Sequence, residues 1–311
     1  MAGREFELIY RHLGIFGAGP QVRLGVGDDG AVVALPPNSE LVVSSDSVVE
    51  GTHFPDLTLP EYVATRAVAA AASDLAAMAA DPLAMTLALT LPEPDELWLH
   101  SFSQGLERCV QSLSLPLVGG DLTRGPLAVT VTVMGSVPTG SALKRSGAKP
   151  GDRLCVTHTL GDAAAGLALI MGKLQPTNDI PFEDEEFLEG RFYQPTARLE
   201  WVTWLREHAH SAIDISDGLL VDVEHMADAS GCACTIDSSA LPLSPALTRL
   251  GRELCLDWAL AGGDDYELAV AVPPGVMLPP GLSHVGEFYE GSGVQCDVSP
   301  TARMGYDHFG A

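Results

Sequence analysis

Basic side chains are scarce in this chain of 311 residues. There are 17 Lys and Arg against 41 Asp and Glu, which gives a formal net charge of -24 at pH 7. Nucleic acids and anionic membrane surfaces bind proteins through clustered Lys and Arg, and the sequence contains no such cluster. The composition therefore argues against a nucleic acid or a membrane as a partner.

The sequence also lacks a recognisable export signal and a membrane-spanning segment. Its first residues mix arginine and glutamate with apolar side chains, whereas a signal peptide has a cationic start and an apolar core. The Ala-rich stretch 63–91 is interrupted by Arg66, Asp74 and Asp81 before a bilayer could be spanned. We therefore expect a cytoplasmic protein.

The six cysteines show no pattern that points to a zinc site. They form no C-x-x-C pair and have no histidine partner at zinc-ligand spacing. Cys232 and Cys234 would share one face of a strand, which suits small buried apolar side chains. We predict no function for the cysteines.

Two familiar nucleotide-binding signatures are missing, and a third is matched only in an unsuitable context. The chain has no G-x-x-x-x-G-K-[ST] sequence and no H-R-D with D-F-G, which excludes a P-loop and argues against a protein kinase. Residues 25–30 do match G-x-G-x-x-G, but a dinucleotide loop of that type opens a helix whose amides hold a pyrophosphate. Here an apparent strand follows, and Asp28 and Asp29 occupy the place of the anion. A Rossmann site is therefore improbable.

Six short acidic segments do recur along the chain, each beside glycine or another small residue. Carboxylate and hydroxyl oxygens are hard ligands that suit Mg²⁺ rather than zinc or iron. If the fold gathers these segments, they predict a site for several Mg²⁺ ions, and hence phosphoryl chemistry. The segments are 27–30 (GDDG), 44–46 (SSD), 73–75 (SDL), 119–121 (GGD), 214–218 (DISDG) and 262–265 (GGDD).

Each acidic segment also has an ordinary structural interpretation. An aspartate beside glycine is most often a turn former or a helix N-cap, as Asp28 and Asp217 could be. Asp74 fits neither role, because it lies inside an Ala-rich helix where an unpaired buried carboxylate costs several kcal/mol. Ser44 and Asp46 are two apart in an apolar strand, so both oxygens emerge on one face. A bound cation is the economical explanation.

Helical and strand patterns alternate along the chain. We predict helices at 6–13, 61–80, 94–113, 162–171, 196–208 and from 218 onward, strands at 31–35, 41–49, 83–91, 127–137, 153–157 and 212–215, and a polar linker after 171. Glycine and proline in the loop 138–151 interrupt any periodicity and mark the best domain boundary. We therefore expect an α/β (α+β) protein with two domains, 1–140 and 150–311, and a site in the cleft between them.

Over nearly its whole length the chain resembles the thiamine-monophosphate kinases, a family of the aminoimidazole ribonucleotide synthetase-like superfamily. The matching segments are 27–29, 45–46, 51–54, 73–78, 80–82, 118–121, 123–125, 145–148, 213–218 and 305–309. The resemblance implies the two-domain fold of that superfamily and ATP-dependent phosphorylation of thiamine monophosphate to thiamine diphosphate, with ADP released. It also implies a homodimer formed through the sheets of the N-terminal halves, where ATP and Mg²⁺ would bind.

The resemblance further implies roles for individual residues. The family usually has Gly-Gly-Glu-Asp-Tyr-Glu-Leu where this chain has Asp264, one methylene shorter, as the third residue. No general base is expected, because the acceptor phosphate is already ionised at neutral pH. Implied ligands of Mg²⁺ are Asp29, Ser44, Ser45, Asp46, Asp74, Asp121, Asp214 and Asp217; those of ATP are Gly120, Asp121, Arg145 and Ser216; those of thiamine monophosphate are His53, Asp264 and Tyr306.

Other functions fit the sequence less well or stay open as alternatives. Within the superfamily, selenophosphate synthetase would have a reactive Cys and Lys near the N-terminus, and the first hundred residues contain neither. The hydrogenase-maturation relative would have a C-terminal Cys, whereas this sequence ends in Phe-Gly-Ala. A metal-dependent nucleotide phosphohydrolase and a non-catalytic Mg²⁺-nucleotide or Ca²⁺-binding module are the alternatives from other classes, although no EF-hand spacing occurs.

Overall fold

The computed structural model describes residues 7–174 and 180–300. These divide into two compact units, one within Met1–Leu75 and Ala80–Ala142 and the other within Ala76–Ala79 and Leu143–Ala311. Both units combine helices with a β-sheet, as the α/β (α+β) prediction requires. The domain limits 1–140 and 150–311, and the placement of a site between the domains, stay predictions. In the described part of the chain, no helix is long and apolar enough to cross a membrane.

The first unit is built on a four-stranded sheet. Strands β3 and β6, and β6 and β4, pair antiparallel, whereas β4 and β5 pair parallel, so the strand order is β3-β6-β4-β5. A separate antiparallel ribbon is formed by β1 and β2. In chain order the elements are β1 (Val22–Leu24), β2 (Val32–Val33), β3 (Ser39–Val49), α1 (Pro60–Ala77), β4 (Asp81–Leu91), α2 (Glu96–Leu113), β5 (Leu117–Arg124) and β6 (Ala128–Pro138).

Sequence patterns explain the main elements of this unit. Along β6, Val129, Val131 and Val133 are buried and the intervening threonines are half-buried, which is the period of two that the sequence predicts. Helix α2 begins after Asp95, whose carboxylate accepts the backbone N–H groups of residues 97 and 98 at 2.8 and 3.2 Å. The same helix buries Phe102 completely, and burial of such a side chain contributes about 1.5–3 kcal/mol.

The second unit contains a six-stranded sheet with the order β12-β9-β11-β7-β10-β8. All its neighbours pair antiparallel except β12 and β9, which pair parallel. Its elements are β7 (Arg153–Thr157), α3 (Asp162–Ile170), α4 (Phe182–Tyr193), α5 (Val202–His208), β8 (Ser211–Ile215), α6 (Leu219–Ser230), β9 (Ala233–Ile236), α7 (Pro245–Thr248), α8 (Arg252–Ala261), β10 (Glu267–Val272), β11 (Leu282–Tyr289) and β12 (Gly293–Cys296).

Several predicted elements differ from the structure, among them the helix predicted at 196–208, which is a 3-10 turn over Leu199–Trp201 followed by α5. The helix predicted at 6–13 appears as a π-helix over Ile9–Leu13 followed by a 3-10 turn over Gly14–Phe16. The strand predicted at 31–35 shrinks to the two residues of β2. The polar linker was wrong, because it contains α4: three acids in the first turn complement the helix dipole, and Leu188 and Phe192, one turn apart, are buried.

Candidate metal and nucleotide site

Strand β3 and helix α1 bring three of the predicted oxygen ligands together. Ser44 and Asp46 lie on the same face of the strand as the buried Val42 and Val48. The Ser44 hydroxyl donates a hydrogen bond to Asp74 Oδ2 on α1. Asp74 is half-buried among the almost wholly buried alanines of its helix. The carboxylate of α1 and the two polar side chains of β3 for which the sequence offers no simple structural role are therefore neighbours.

The two carboxylates of this group repel one another. Burial, and then the negative charge of Asp74, raise the pKa of Asp46 to about 6. Asp46 Oδ2 is buried and accepts no hydrogen bond from any described residue. Such an oxygen beside a second acid and a hydroxyl fits a hard divalent cation, which would satisfy the buried oxygen and cancel the repulsion. The chemistry of these donors therefore suits Mg²⁺.

Ser45 does not join the group. Its side chain lies on the opposite face of β3, where its hydroxyl is hydrogen-bonded to that of Thr132 on β6 at 2.9 Å. Ser47 makes the same contact with Thr130 at 2.7 Å. The alternation of side chains along a strand thus separates the Ser45 hydroxyl from Ser44 and Asp46, and the role of Ser45 as a Mg²⁺ ligand stays a prediction.

Asp29, Gly120 and Asp121 line one cavity of the first unit. Its volume is about 360 Å³, and its remaining walls are largely apolar side chains of the N-terminal segment and of β4 and β5. Gly120 has φ +152°, and a Cβ there would lie 1.8 Å from the carbonyl oxygen of Leu87 on the adjacent strand. Only glycine fits this position. The first and fourth acidic segments are therefore brought together by the fold.

His53 lies in the turn that follows β3. Its Nδ1 accepts the backbone N–H of Val49 at 3.1 Å, so the proton of the neutral ring is on Nε2. The His53 carbonyl accepts a hydrogen bond from Arg66 Nη2 at 3.0 Å, and Arg66 is only 1% exposed. A buried guanidinium therefore holds the turn that carries the predicted substrate ligand.

In the second unit, β8 carries Asp214 and leads directly into the loop with Ser216 and Asp217. Asp214 is buried and lies on the same face of the strand as Ala212. The predicted N-cap role of Asp217 was wrong: the N-cap of α6 is Gly218, which has no side-chain cap. The carboxylate of Asp222, one turn into the helix, instead accepts the amides of residues 216, 217 and 218. Burial, and then the charge of Asp217, raise the pKa of Asp222 to about 7.

The segment with Asp264 runs beside this loop. The amide of Asp264 donates to the Ser216 carbonyl at 2.9 Å, and the amide of Tyr266 donates to the Ile215 carbonyl at 2.9 Å. Both Asp264 (φ +67°) and Tyr266 (φ +50°) adopt the left-handed conformation that such residues rarely take. The Tyr266 hydroxyl donates to Asp264 Oδ1 at 3.3 Å. Asp264, Ser216 and Asp217 therefore form one group, held by strained backbone.

Two buried acids of the same segment anchor it. Asp265 Oδ2 accepts the amide of Gly161 at 2.7 Å at the start of α3, and burial raises its pKa to about 8 although that amide lowers it. Glu267 is fully buried and is ion-paired with Arg191 at 2.8 Å and with Arg198. Burial alone would raise the pKa of Glu267, but hydrogen bonds from His158 and Arg198 and the two guanidinium charges lower it overall. The acids next to Asp264 are therefore structural.

The loop with Arg145 is held at the other end of β8. Its carbonyl accepts hydrogen bonds from the hydroxyls of Ser211 at 2.8 Å and Ser230 at 3.1 Å. Ser230 Oγ also accepts the amides of residues 147 and 148, each at 3.1 Å. Ser216 is five residue positions along the extended chain from Ser211, which is about 16 Å. Arg145 and Ser216 could thus contact one ligand only if it is extended.

Within each unit, the structure brings some of the predicted ligands together. In residues 7–174 and 180–300, no group of three or more His, Cys, Asp or Glu side chains has the arrangement of a metal site. In the first unit these groups are Ser44 with Asp46 and Asp74, and Asp29 with Gly120 and Asp121; in the second unit the group is Asp214 to Asp217 with Asp264. Tyr306 lies outside the described residues.

Sequence reasoning missed the residues that hold these groups in place. Ser211 and Ser230 support the Arg145 loop, Arg66 supports His53, and Asp222 supports the loop before α6. One signal was available for Asp222, because an acid in the first turn of a helix interacts favourably with its N-terminal amides. The partners of the two serines are distant in sequence and leave no local pattern.

Comparison with protein-family models gives two matches. Residues 27–137 match AIR synthase related protein, N-terminal domain, and residues 149–279 match AIR synthase related protein, C-terminal domain. Together these models cover most of the chain and include the three ligand groups, whereas Arg145 lies between the two matched ranges.

Curated proteins and solved structures agree with these models. Thiamine-monophosphate kinase of Escherichia coli (strain K12) is 44% identical over 326 residues, which cover 99% of each chain. A crystal structure of thiamine-monophosphate kinase from Stenotrophomonas maltophilia K279a has a TM-score of 0.84 at 39% identity, covering 94% of this chain and 95% of the other. The structure of AaThiL complexed with AMPPCP and TMP has a TM-score of 0.81 at 31% identity, covering 91% and 92%. E. coli HypE, at 22% identity and a TM-score of 0.73, shares the fold.

Proposed function

The chain belongs to the thiamine-monophosphate kinase family, and we propose that it transfers the terminal phosphoryl group of ATP directly to thiamine monophosphate, giving thiamine diphosphate and ADP. The observation that carries this proposal is the match along the full chain to relatives of that one activity. The complex of AaThiL with AMPPCP and TMP supports the same pair of substrates, because AMPPCP resembles ATP.

The acidic character of the protein suits a reaction between two phosphates only if cations are present. Two unit charges near 4 Å repel by about 1 kcal/mol in water and about 4 kcal/mol at an effective dielectric of 20. With 17 basic residues against 41 acidic ones, the chain has few groups of its own to cancel that repulsion. When bound, Mg²⁺ supplies the missing positive charge and aligns the phosphates for in-line displacement.

The described groups suggest which residues hold these cations. Ser44, Asp46 and Asp74 offer a hydroxyl and two carboxylates at the buried face of β3, including the unpartnered Asp46 Oδ2. Ser45 contributes no side-chain oxygen to that face. We propose that further Mg²⁺ ligands come from Asp29, Asp121, Asp214 and Asp217.

Substrate contacts follow from the remaining residues. A cavity of about 360 Å³ beside Gly120 and Asp121 is large enough for part of a nucleotide, and Ser216 and Arg145 provide a hydroxyl and a guanidinium for phosphate oxygens. His53 and Asp264 are the proposed contacts of thiamine monophosphate. No residue is assigned as a general base, because the acceptor oxygen is already ionised.

The test is a reaction of the purified protein with ATP, Mg²⁺ and thiamine monophosphate. Thiamine diphosphate and ADP should form in equal amounts, measured by chromatography, and thiamine without its phosphate should give neither. Release of free phosphate at the same rate whatever acceptor is offered would instead identify a nucleotide phosphohydrolase and overturn the proposal.

The proposal includes a homodimer formed through the sheet of the first unit. On the face of β3 opposite Ser44 and Asp46, Leu41 and Val43 are 49% and 53% exposed, an unusual exposure for neighbouring apolar side chains of a central sheet. Val43→Glu should therefore yield a monomer by light scattering, whereas Leu97→Glu, at an exposed leucine of α2, should leave the dimer intact. A monomeric parent protein would contradict this part.

A further inference from the structure

Asp222 makes an unusual set of contacts for a helical aspartate. It is 3% exposed, and one of its oxygens, Oδ2, accepts the backbone amides of Ser216, Asp217 and Gly218, each at 3.1 Å. These are three consecutive N–H groups at the N-terminus of α6. One carboxylate oxygen therefore satisfies every amide of the loop that carries two predicted ligands.

Three such amides at the start of a helix would ordinarily form an anion site. Consecutive N–H groups and the helix dipole together attract phosphates and other anions. In this chain the internal carboxylate of Asp222 already occupies that position. The backbone of the loop is therefore closed to a phosphate, and a phosphate can be bound there only through side chains or through a cation.

The opposite side of the loop is held as well. The carbonyls of Ile215 and Ser216 accept the amides of Tyr266 and Asp264, both at 2.9 Å. Gly263 has no room for a side chain, because a Cβ there would lie 2.3 Å from the Ser216 carbonyl oxygen. With amides bonded on one side and carbonyls on the other, the directions of the side chains at 216 and 217 are set by the backbone.

We propose that Asp222 is a positioning residue that converts the N-terminus of α6 from an anion-binding site into a cation-binding loop. It does not contact the substrates; it orients Asp217 toward the cation that accompanies the nucleotide and Ser216 toward the nucleotide itself. This inference rests on the proposed function, since it assumes that Asp217 is a metal ligand. A simple helix cap would stabilise α6 equally but would not alter the affinity for a cation.

The test measures cation binding apart from catalysis. Mn²⁺, a paramagnetic substitute for Mg²⁺, is titrated into the full-length protein without nucleotide, and free Mn²⁺ is followed by electron paramagnetic resonance. Loss of an outer partner of a metal site lowers metal affinity about 10–100-fold, and we expect that loss for one class of Mn²⁺-binding sites in Asp222→Ala. Asp222→Asn keeps one acceptor oxygen in place and should restore most of the affinity.

The matched control is Asp228→Ala, which removes an exposed carboxylate from the same helix and should leave Mn²⁺ binding unchanged. If Asp222→Ala fails to fold, Asp222→Glu tests the role of Asp222 instead. It keeps the charge but displaces it by one methylene, so it should also weaken Mn²⁺ binding. Lower thermal stability with parental Mn²⁺ affinity in these variants would show a cap only and overturn the inference. Failure of the parent to make thiamine diphosphate would overturn the proposed function, whereas the Mn²⁺ titration would still decide the role of Asp222.

Discussion

Ser44 donates a hydrogen bond to Asp74 Oδ2 and thereby ties strand β3 to helix α1 on the face where Asp46 has a buried, unpartnered oxygen. The three residues come from segments about 30 positions apart in sequence. Burial of Asp46, and then the like charge of Asp74 beside it, raise the pKa of Asp46 to about 6.

Asp46→Asn should reduce thiamine diphosphate formation at limiting Mg²⁺ by at least about 10–100-fold, the range for disturbed metal sites. Without Mg²⁺ the same variant should unfold at the parental temperature or above it, because the substitution removes repulsion between Asp46 and Asp74. Rates over a Mg²⁺ titration and calorimetric melting curves check both expectations. Glu107→Gln, at an exposed site of α2, is the control, and normal turnover of Asp46→Asn at limiting Mg²⁺ would remove Asp46 from the metal site.

Gly120→Ala should be harmful, whereas Gly119→Ala should be mild. A Cβ at 120 would meet the Leu87 carbonyl oxygen at 1.8 Å, whereas the nearest atom to a Cβ at 119 is a Thr86 methyl at 4.0 Å. We expect Gly120→Ala to lower the free energy of unfolding by about 1–3 kcal/mol or more and to weaken nucleotide binding. Denaturant unfolding and ATP-dependent kinetics of the two variants test this. Equal free energies of unfolding and equal KM values for ATP would show that β5 moves enough to accommodate a Cβ at position 120.

Ser230→Ala should raise the KM for ATP about tenfold, which equals about 1.4 kcal/mol and is close to the net value of one hydrogen bond. The cause is the loss of the contacts from Ser230 Oγ to the Arg145 carbonyl and to the amides of residues 147 and 148. The kcat should change little, because the serine only supports the loop. Ser292→Ala, in an exposed turn of the same unit, is the control, and an unchanged KM in Ser230→Ala would argue against a nucleotide contact by Arg145.

Glu267→Gln should destabilise the protein strongly at pH 7 and less in acid. Removing the carboxylate leaves Arg191 and Arg198 buried without their partner, which costs about 3–5 kcal/mol for such pairs. Because the folded pKa of Glu267 lies below its ordinary value of 4.5, the stability that this group contributes is complete above that value and is lost as pH falls through the lowered folded pKa. The melting temperatures of Glu267→Gln and of the parent protein should therefore become equal only in that acid range.

Glu287→Gln, at an exposed position of β11, provides the comparison for Glu267. It should melt like the parent at every pH. A constant gap between Glu267→Gln and the parent down to the lowest pH would show that the charge of Glu267 is not what stabilises the segment.

Much of the architecture and part of the site followed from local pattern. The Val and Thr alternation of β6 predicted its buried and half-buried faces, and the period of two placed Ser44 and Asp46 on one face of β3. The same rule, applied strictly, would have put Ser45 on the opposite face, where its hydroxyl contacts Thr132. The helix α4 was missed because the polar stretch after 171 was interpreted as a linker, although Leu188 and Phe192 occupy helical spacing.

The amino-acid sequence by itself determined the family, the α/β (α+β) class and the residue types of the site, because these depend on composition, short periodicities and ordered motifs. Only the tertiary structure decided which acids are neighbours and which are anchors. Asp46 and Asp74 meet because β3 and α1 pack together, whereas Asp265 and Glu267 are bound to a helix N-terminus and to two arginines. The residue type of a carboxylate is the same in every role. Its partners lie far away in the chain, and they decide whether it accepts hydrogen bonds from amides, pairs with a guanidinium or binds a cation.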